Sequence, residues 1–353
     1  MIKGFYEMKK VIIYCFSGTG NTKKVCGMLA DELKNYEYET EIFSITYDAY
    51  KKKVFPDPNE YDVIGLAYPG HAFNAPELFN KFVKRLPKAK NGQQAFIIKT
   101  SGEPFAVNNS ASQNARRSLR KKGYNFTYEK HYLMPYNIMF RYPNGLAKQM
   151  YLYSEQMAKV SAKAIVDGKK EWLKQTCGSV IMCFLGKIEW FGAWFNGLFY
   201  HVNKKLCTKC GLCAKECPAH NITITEKGKF KFGAHCIMCC RCTMNCPQNA
   251  VRMGMMDSWR VNKPYPFKQL VEDKELSANY VNEKTTGYFR KFNKYYGKID
   301  AELKEFGITP PRENFEPNAY AIMPKKERKK LNKQNKKEEK SLAKEAKKAN
   351  KKK

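Results

Sequence analysis

Acidic residues are scarce in this 353-residue chain: 33 Asp and Glu stand against 64 Lys and Arg, for a net charge of +31. Such a field favours acidic proteins, anionic lipid surfaces or nucleic acid as partners, and it says nothing of the fold. The excess is uneven. Residues 325–353 hold 15 basic and 4 acidic side chains, and the rest still carries about +20. Long apolar runs are missing too, since none reaches the roughly 20 residues of a spanning helix. No secretory leader is read either: the apolar stretch after Lys10 is only Val11–Phe16 and runs into a glycine-rich loop. A cytoplasmic, reducing setting is therefore expected, in which the 13 cysteines serve metal and not disulfides. Residues 1–7 read as a non-essential extension ahead of a natural start at Met8.

The 43% apolar content is enough for about two domains. From residue 9 to 168, short β-branched runs alternate with amphipathic stretches, the pattern of a parallel sheet covered on both faces. Strands are predicted at Lys10–Cys15, Glu39–Ile45, Asp62–Tyr68, Ala95–Thr100 and Asn125–Leu133. Helices are predicted at Thr22–Asn35, Ala75–Arg85, Asn109–Lys122 and Lys148–Asp167. The expected fold is an α/β, doubly wound, five-stranded domain whose strand-end loops 16–22, 69–76 and 101–108 share one edge.

Residues 169–203 form a connector rich in Trp, Phe, Leu and Ile. Ile188, Phe191, Phe195, Leu198, Phe199 and Val202 are spaced by three or four, which predicts an amphipathic helix. Such a helix either packs two redox units together or lies in a membrane interface, a peripheral contact through residues 180–203. Residues 255–324 read as a polar extension without chemical signal. The Lys-rich tail, 325–353, is expected to be disordered or a frayed helix.

Residues 204–254 contain two runs at a period of 29: Cys207, Cys210, Cys213 and Cys217-Pro218, then Cys236, Cys239, Cys242 and Cys246-Pro247. Cubane iron needs soft thiolates, and a C-x2-C-x2-C loop wraps three corners of one cube. Paired zinc knuckles would leave the duplicated runs ending in Cys-Pro unexplained. The runs resemble bacterial two-cluster 4Fe–4S ferredoxins, small α+β units in which the fourth cysteine of each run ligates the other cluster. That resemblance implies one cluster on Cys207, Cys210, Cys213 and Cys246, and a second on Cys236, Cys239, Cys242 and Cys217. Cys240 aligns with Gly211 and is expected to pack beside a cluster. The module holds nine basic residues and only Glu216 and Glu226 as acids, a departure from that family which points to acidic redox partner proteins.

The first strand leads into Phe16-Ser17-Gly18-Thr19-Gly20-Asn21-Thr22 and then a helix, a loop suited to one phosphate. It has neither the Lys-Ser/Thr ending of a nucleotide-triphosphate loop nor the G-x-G-x-x-G spacing of dinucleotide sites. The run resembles the FMN phosphate loop of flavodoxins. On that likeness Ser17, Gly18, Thr19, Gly20, Asn21 and Thr22 hold the phosphate, and Tyr68, His71, Phe73, Ser101 and Gly102 lie in the loops that clasp the flavin ring. Together the modules resemble the flavodoxin–ferredoxin fusions of anaerobic bacteria, the EFR1-type ferredoxin family, over residues 9–254.

A cluster carries one electron and FMN one or two, so the fusion implies an electron carrier that relays between two 4Fe–4S clusters and FMN. The alternative is an enzyme proper, an FMN-dependent reductase of a quinone-like small molecule, with the clusters as inlet and His71 as the histidine to test. An iron–sulfur protein acting on nucleic acid rests on the Lys-rich tail alone, and such a partner is not expected.

Overall fold

A computed structural model describes residues 8–349. The first half is the expected α/β unit. Strands β1 (Lys9–Cys15), β2 (Tyr38–Ser44), β3 (Val63–Pro69), β4 (Gln94–Ser101) and β5 (Asn125–Leu133) form one parallel sheet in the order β2-β1-β3-β4-β5. This is the flavodoxin-like doubly wound order, and it reverses direction between β1 and β3. Helices α1 (Asn21–Lys34), α2 (Tyr47–Lys52), α3 (Glu77–Arg85), α4 (Gln113–Lys121) and α5 (Asn144–Val166) complete the unit.

The two-residue period of β1 supplies both cores. Val11, Ile13 and Cys15 pack on the side of α1 and α5, while Ile12, Tyr14 and Phe16 pack on the side of α3 and α4. Continuous burial from Val11 to Phe16 is what a central parallel strand requires.

Two connector helices follow, α6 (Cys177–Leu185) and α7 (Ile188–Gly197), where a single stripe is predicted. They are split at Gly186, which sits so close to the Ala72 carbonyl that a Cβ would overlap it. The cysteine module is built from two small antiparallel pairs, β6 (His201–Val202) with β9 (Val251–Arg252), and β7 (Ile222–Ile224) with β8 (Phe230–Phe232). Its short helices are α8 (Leu212–Lys215) and α9 (Arg241–Met244). Its sequence repeat recurs in the backbone. Left-handed residues fall in pairs 29 apart: Lys209 and Met238, Gly211 and Cys240, His220 and Asn249.

Residues 255–324, expected as a polar extension, form short helices that pack on the first domain. Helices α10 (Phe267–Glu272), α11 (Asn293–Glu305) and α12 (Ala319–Ile322) return to the first domain. Tyr265, Phe267, Leu270, Tyr280, Phe292, Tyr296, Ile299 and Leu303 join the core around α5. Polar side chains secure the contact, since Tyr153 donates to Asp300 at 2.5 Å and Gln149 exchanges two hydrogen bonds with the Val281 backbone. Of the two states expected for the tail, disorder or helix, Lys325–Ala349 takes the second, as helix α13. Lys, Glu and Ala have high intrinsic helix propensity, which needs no buried face.

Because Leu303 is fully buried, Leu303→Ala is expected to cost about 2–5 kcal/mol. Denaturant unfolding checks this. A loss within the scatter of surface substitutions would return residues 255–324 to the status of an appendage.

Candidate redox site

The eight repeat cysteines divide between two cavities. Cys207, Cys210, Cys213 and Cys246 line one, and Cys217, Cys236, Cys239 and Cys242 line the other, together with Cys240. Each fourth cysteine has crossed to the other half. The thiols ring a space instead of converging on a point: among the described residues, no three His, Cys, Asp or Glu side chains close on a single ion. Tetrahedral zinc would need sulfurs about 3.8 Å apart, from Zn–S bonds near 2.3 Å.

Backbone N–H groups already point at sulfur in both halves. Lys209 N donates to Cys207 Sγ at 3.3 Å and Met238 N to Cys236 Sγ at 3.4 Å. Asn221 N and Ala250 N do the same for Cys217 and Cys246, at 3.3 and 3.2 Å. Burial first, then neighbouring thiols, pushes Cys213 and Cys239 up to about 11 and Cys236 to about 12. Thiols so placed become thiolates only when cationic metal supplies compensating charge, so the donor set fits iron–sulfur clusters. Cys240 behaves as expected of a packing residue: it is buried, holds the left-handed position that Gly211 holds in the first repeat, and donates to the Met238 carbonyl at 3.4 Å.

A second cleft opens at the carboxyl edge of the sheet, between β1 and β3. Ser17, Gly18, Thr19, Asn21, Thr22, His71, Ser101 and Gly102 line it. Gly20 caps α1 in a left-handed conformation (φ 100°) with no side-chain cap; Lys23 N donates to Ser17 Oγ at 3.3 Å, and the N–H groups of Asn21 and Thr22 are left for an anion. Thr22 is buried, with its hydroxyl 2.8 Å from that of Thr100. These groups fit a terminal phosphate. Ser101 is fixed by His131, whose Nε2 lies 2.7 Å from Ser101 Oγ; burial pushes this imidazole down to about 3, so it is neutral.

Two expected ring contacts do not reach the cleft. Tyr68 is fully buried, its ring 4.6 Å from that of Phe79, because the strand period sends Ile64, Leu66 and Tyr68 to the α3 face. Phe73 sits at positive φ in a tight turn closed by His71 and Asn74 and is not part of the lining.

The sequence reading missed the loop after β5. Met134–Ile138 forms one wall, where Asn21 donates to the Pro135 carbonyl at 2.9 Å, Asn137 donates to Thr19, and the Tyr136 ring lies against Gly102 with no room for a Cβ between them. Its only signal was its place at the same sheet edge. The opposite wall is the second cysteine loop, Met238, Cys239 and Cys240. A Cβ on Gly18 would stand 2.9 Å from Cys239 Cβ. Arg241 forks onto the same loop, donating to the Gly18 carbonyl at 2.7 Å and to that of Ser17.

The connector closes the back of the site. Asn74 donates to the Cys183 carbonyl at 2.8 Å, and Glu189 Oε1 lies 3.8 Å from His71 Nδ1. That spacing suits an ion pair, yet burial acts on both groups, lowering His71 to about 4 and raising Glu189 to about 7. The pair is therefore neutral in the acid range, with the proton on the carboxyl.

Residues 200–223 match the 4Fe-4S binding domain family. The chain carries an iron–sulfur domain. No curated protein matches it in sequence. Solved structures similar to it include flavodoxins. A Fusobacterium nucleatum flavodoxin bound to flavin mononucleotide is 14% identical, with 46% of this chain and 100% of that one covered, at a TM-score of 0.33. A Streptococcus pneumonia flavodoxin is 17% identical, with 44% and 99% covered and a TM-score of 0.31. A short-chain flavodoxin associated with a non-canonical PDU bacterial microcompartment is 15% identical, with 45% and 98% covered and a TM-score of 0.34.

The neutral pair makes a pH prediction. The folded chain keeps a proton on Glu189 that the unfolded chain releases, so this group's contribution to stability falls as pH rises from about 4.5 to about 7. His71 works in the opposite sense between about 4 and 6.5. Glu189→Gln removes only the first effect, so relative to the parent the variant is expected to gain about 2–3 kcal/mol between pH 5 and pH 8. Thermal unfolding at the two pH values checks this, and a variant less stable than its parent at pH 8 would instead establish an ion pair.

Proposed function

We propose that this protein is an electron carrier that relays electrons between two 4Fe–4S clusters and FMN in the cytoplasm, and that it serves a partner enzyme. The observation that carries the reading is the wall shared by Gly18 and Cys239: the candidate phosphate loop and a candidate cluster ligand touch. Ser17, Thr19, Asn21 and Thr22, with the first N–H groups after Gly20, would hold the phosphate, and His71, Ser101, Gly102 and Tyr136 would border the ring. Bound FMN supplies the exchange between one-electron and two-electron chemistry. The residues of this chain contribute position. Arg241 holds the second cysteine loop against the phosphate loop, and the connector keeps water from the back of His71.

The two cysteine sets differ in access. Cys239 faces the cleft, while Cys210 in the other set is exposed. Beside Cys207 a groove is lined by Lys204, Lys209, Lys227 and Lys229. This supports entry or exit of electrons at the first set, from an acidic redox partner drawn by the positive field. The order of modules supports membership of the EFR1-type ferredoxin family.

Rapid mixing of the anaerobic holoprotein with dithionite tests the relay. Cluster bleaching is expected to be followed by FMN reduction, and Arg241→Ala is expected to slow the second phase and leave the first unchanged. Clusters that stay reduced beside oxidised FMN for seconds would overturn the proposal. Crossed ligation has its own test in iron counts. Cys217→Ala and Cys239→Ala should each retain about four of eight irons, and the double variant should retain the same four. Uncrossed sets would leave the double variant with none.

A further inference from the structure

The connector helices touch both units, at Asn74 and at Cys236, but not through their apolar stripe. It faces out. Ile181, Phe184 and Leu185 on α6 are 57%, 69% and 54% exposed, and Ile188 and Phe191 on α7 are 77% and 63% exposed. Trp194, Phe195, Leu198 and Phe199 continue the same face. The contact with the protein is made by small or polar residues instead: Ser179, Cys183, Gly186, Ala193, Asn196 and Gly197 are buried. Ser179 Oγ lies 2.6 Å from Ser110 Oγ, Asn196 donates to the Met253 carbonyl at 3.0 Å, and Gly197 stands against Cys236. Nine half-exposed side chains, at 150–250 Å² for each aromatic, present a face on the order of 900 Å². A few hundred Å² is usual for the largest patch of a monomer.

We propose that α6 and α7 are a membrane-interface anchor that seats this protein on an anionic lipid bilayer. Three observations select that occupant. The exposed residues from 181 to 199 are these nine and Lys187, so the face offers almost no directional hydrogen-bonding group, which a protein interface would use and acyl chains do not need. The only acid of the two helices, Glu189, is turned inward to His71. Residues 169–209 hold seven lysines against two glutamates, and the whole chain carries +31. Lysine beside an apolar face favours anionic headgroups, and like charge of this size opposes a second copy of the same chain. Among the described residues no helix is long and apolar enough to cross a membrane, so the anchor lies on the surface.

Flotation of the full holoprotein with vesicles tests this. With phosphatidylcholine vesicles containing phosphatidylglycerol the protein is expected to float, at least tenfold more than with phosphatidylcholine alone. The exposed-site variant Ile188→Glu/Phe191→Glu is expected to lose that binding at least tenfold and to keep its cluster and flavin spectra. In the unaltered chain, brominated acyl chains are expected to quench tryptophan fluorescence, which requires insertion and needs no variant. Binding that the double variant retains would assign it to lysines alone and overturn the anchor. Absence of bromolipid quenching would overturn it too, as would a dimer by light scattering that the double variant dissolves.

Discussion

The contact between Gly18 and Cys239 is the constraint on which the remaining architecture depends. A phosphate-binding turn tolerates glycine for its own backbone, but here the missing side chain has a second use, because the space a Cβ would need belongs to the other redox loop. Arg241, one residue before Cys242, converts that proximity into a fixed geometry by donating to two consecutive carbonyls, while its third nitrogen reaches the Glu216 carbonyl at 3.1 Å. A guanidinium suits this task, since its planar fork can serve several acceptors without reorienting. Both halves of the cysteine repeat and the phosphate loop thus meet at one side chain.

Holding that contact needs more than its own hydrogen bonds, and the segments outside the two modules supply the rest. The connector is pressed between the turn at 71–74 and Cys236, and it fits because glycine stands at both pressure points, Gly186 and Gly197. The C-terminal helices clasp α5 from the far side of the sheet, with Tyr296 and Leu303 fully buried. The chain is therefore one continuous packing problem, and neither module is simply tethered to the other.

Much of this was legible in the sequence. The strand predictions fall within a residue or so of the observed ends, most directly for β1, β3 and β4, whose buried centres read as short apolar runs bounded by turns. The 29-residue period of cysteines reappears as a 29-residue period of left-handed backbone, since a loop that wraps one cluster corner imposes the same turns wherever it occurs. Other features were not legible. Tyr68, at the predicted strand end, was expected among the ring-clasping residues but obeys strand parity, and the Met134–Ile138 wall has no composition of its own, only a position that topology confers. Residues 255–324 seemed polar because their Tyr and Phe are scattered, and only the fold gathers them around α5.

The connector exposes the limit of hydrophobic periodicity most clearly. Period alone establishes that a helix has two unlike faces, and the usual assumption sends the larger apolar residues inward. That assumption fails where the inner surface is already crowded by a cluster loop and a flavin-edge turn, because close approach there selects Gly, Ala, Ser and Cys. Most of the large side chains are then kept from the interface by volume, not by polarity, while Trp190 turns partly inward. The same crowding that brings Gly197 against Cys236 thereby leaves Phe195 and Phe199 exposed. The outward aromatic face is in this sense a consequence of the close contact between the redox modules.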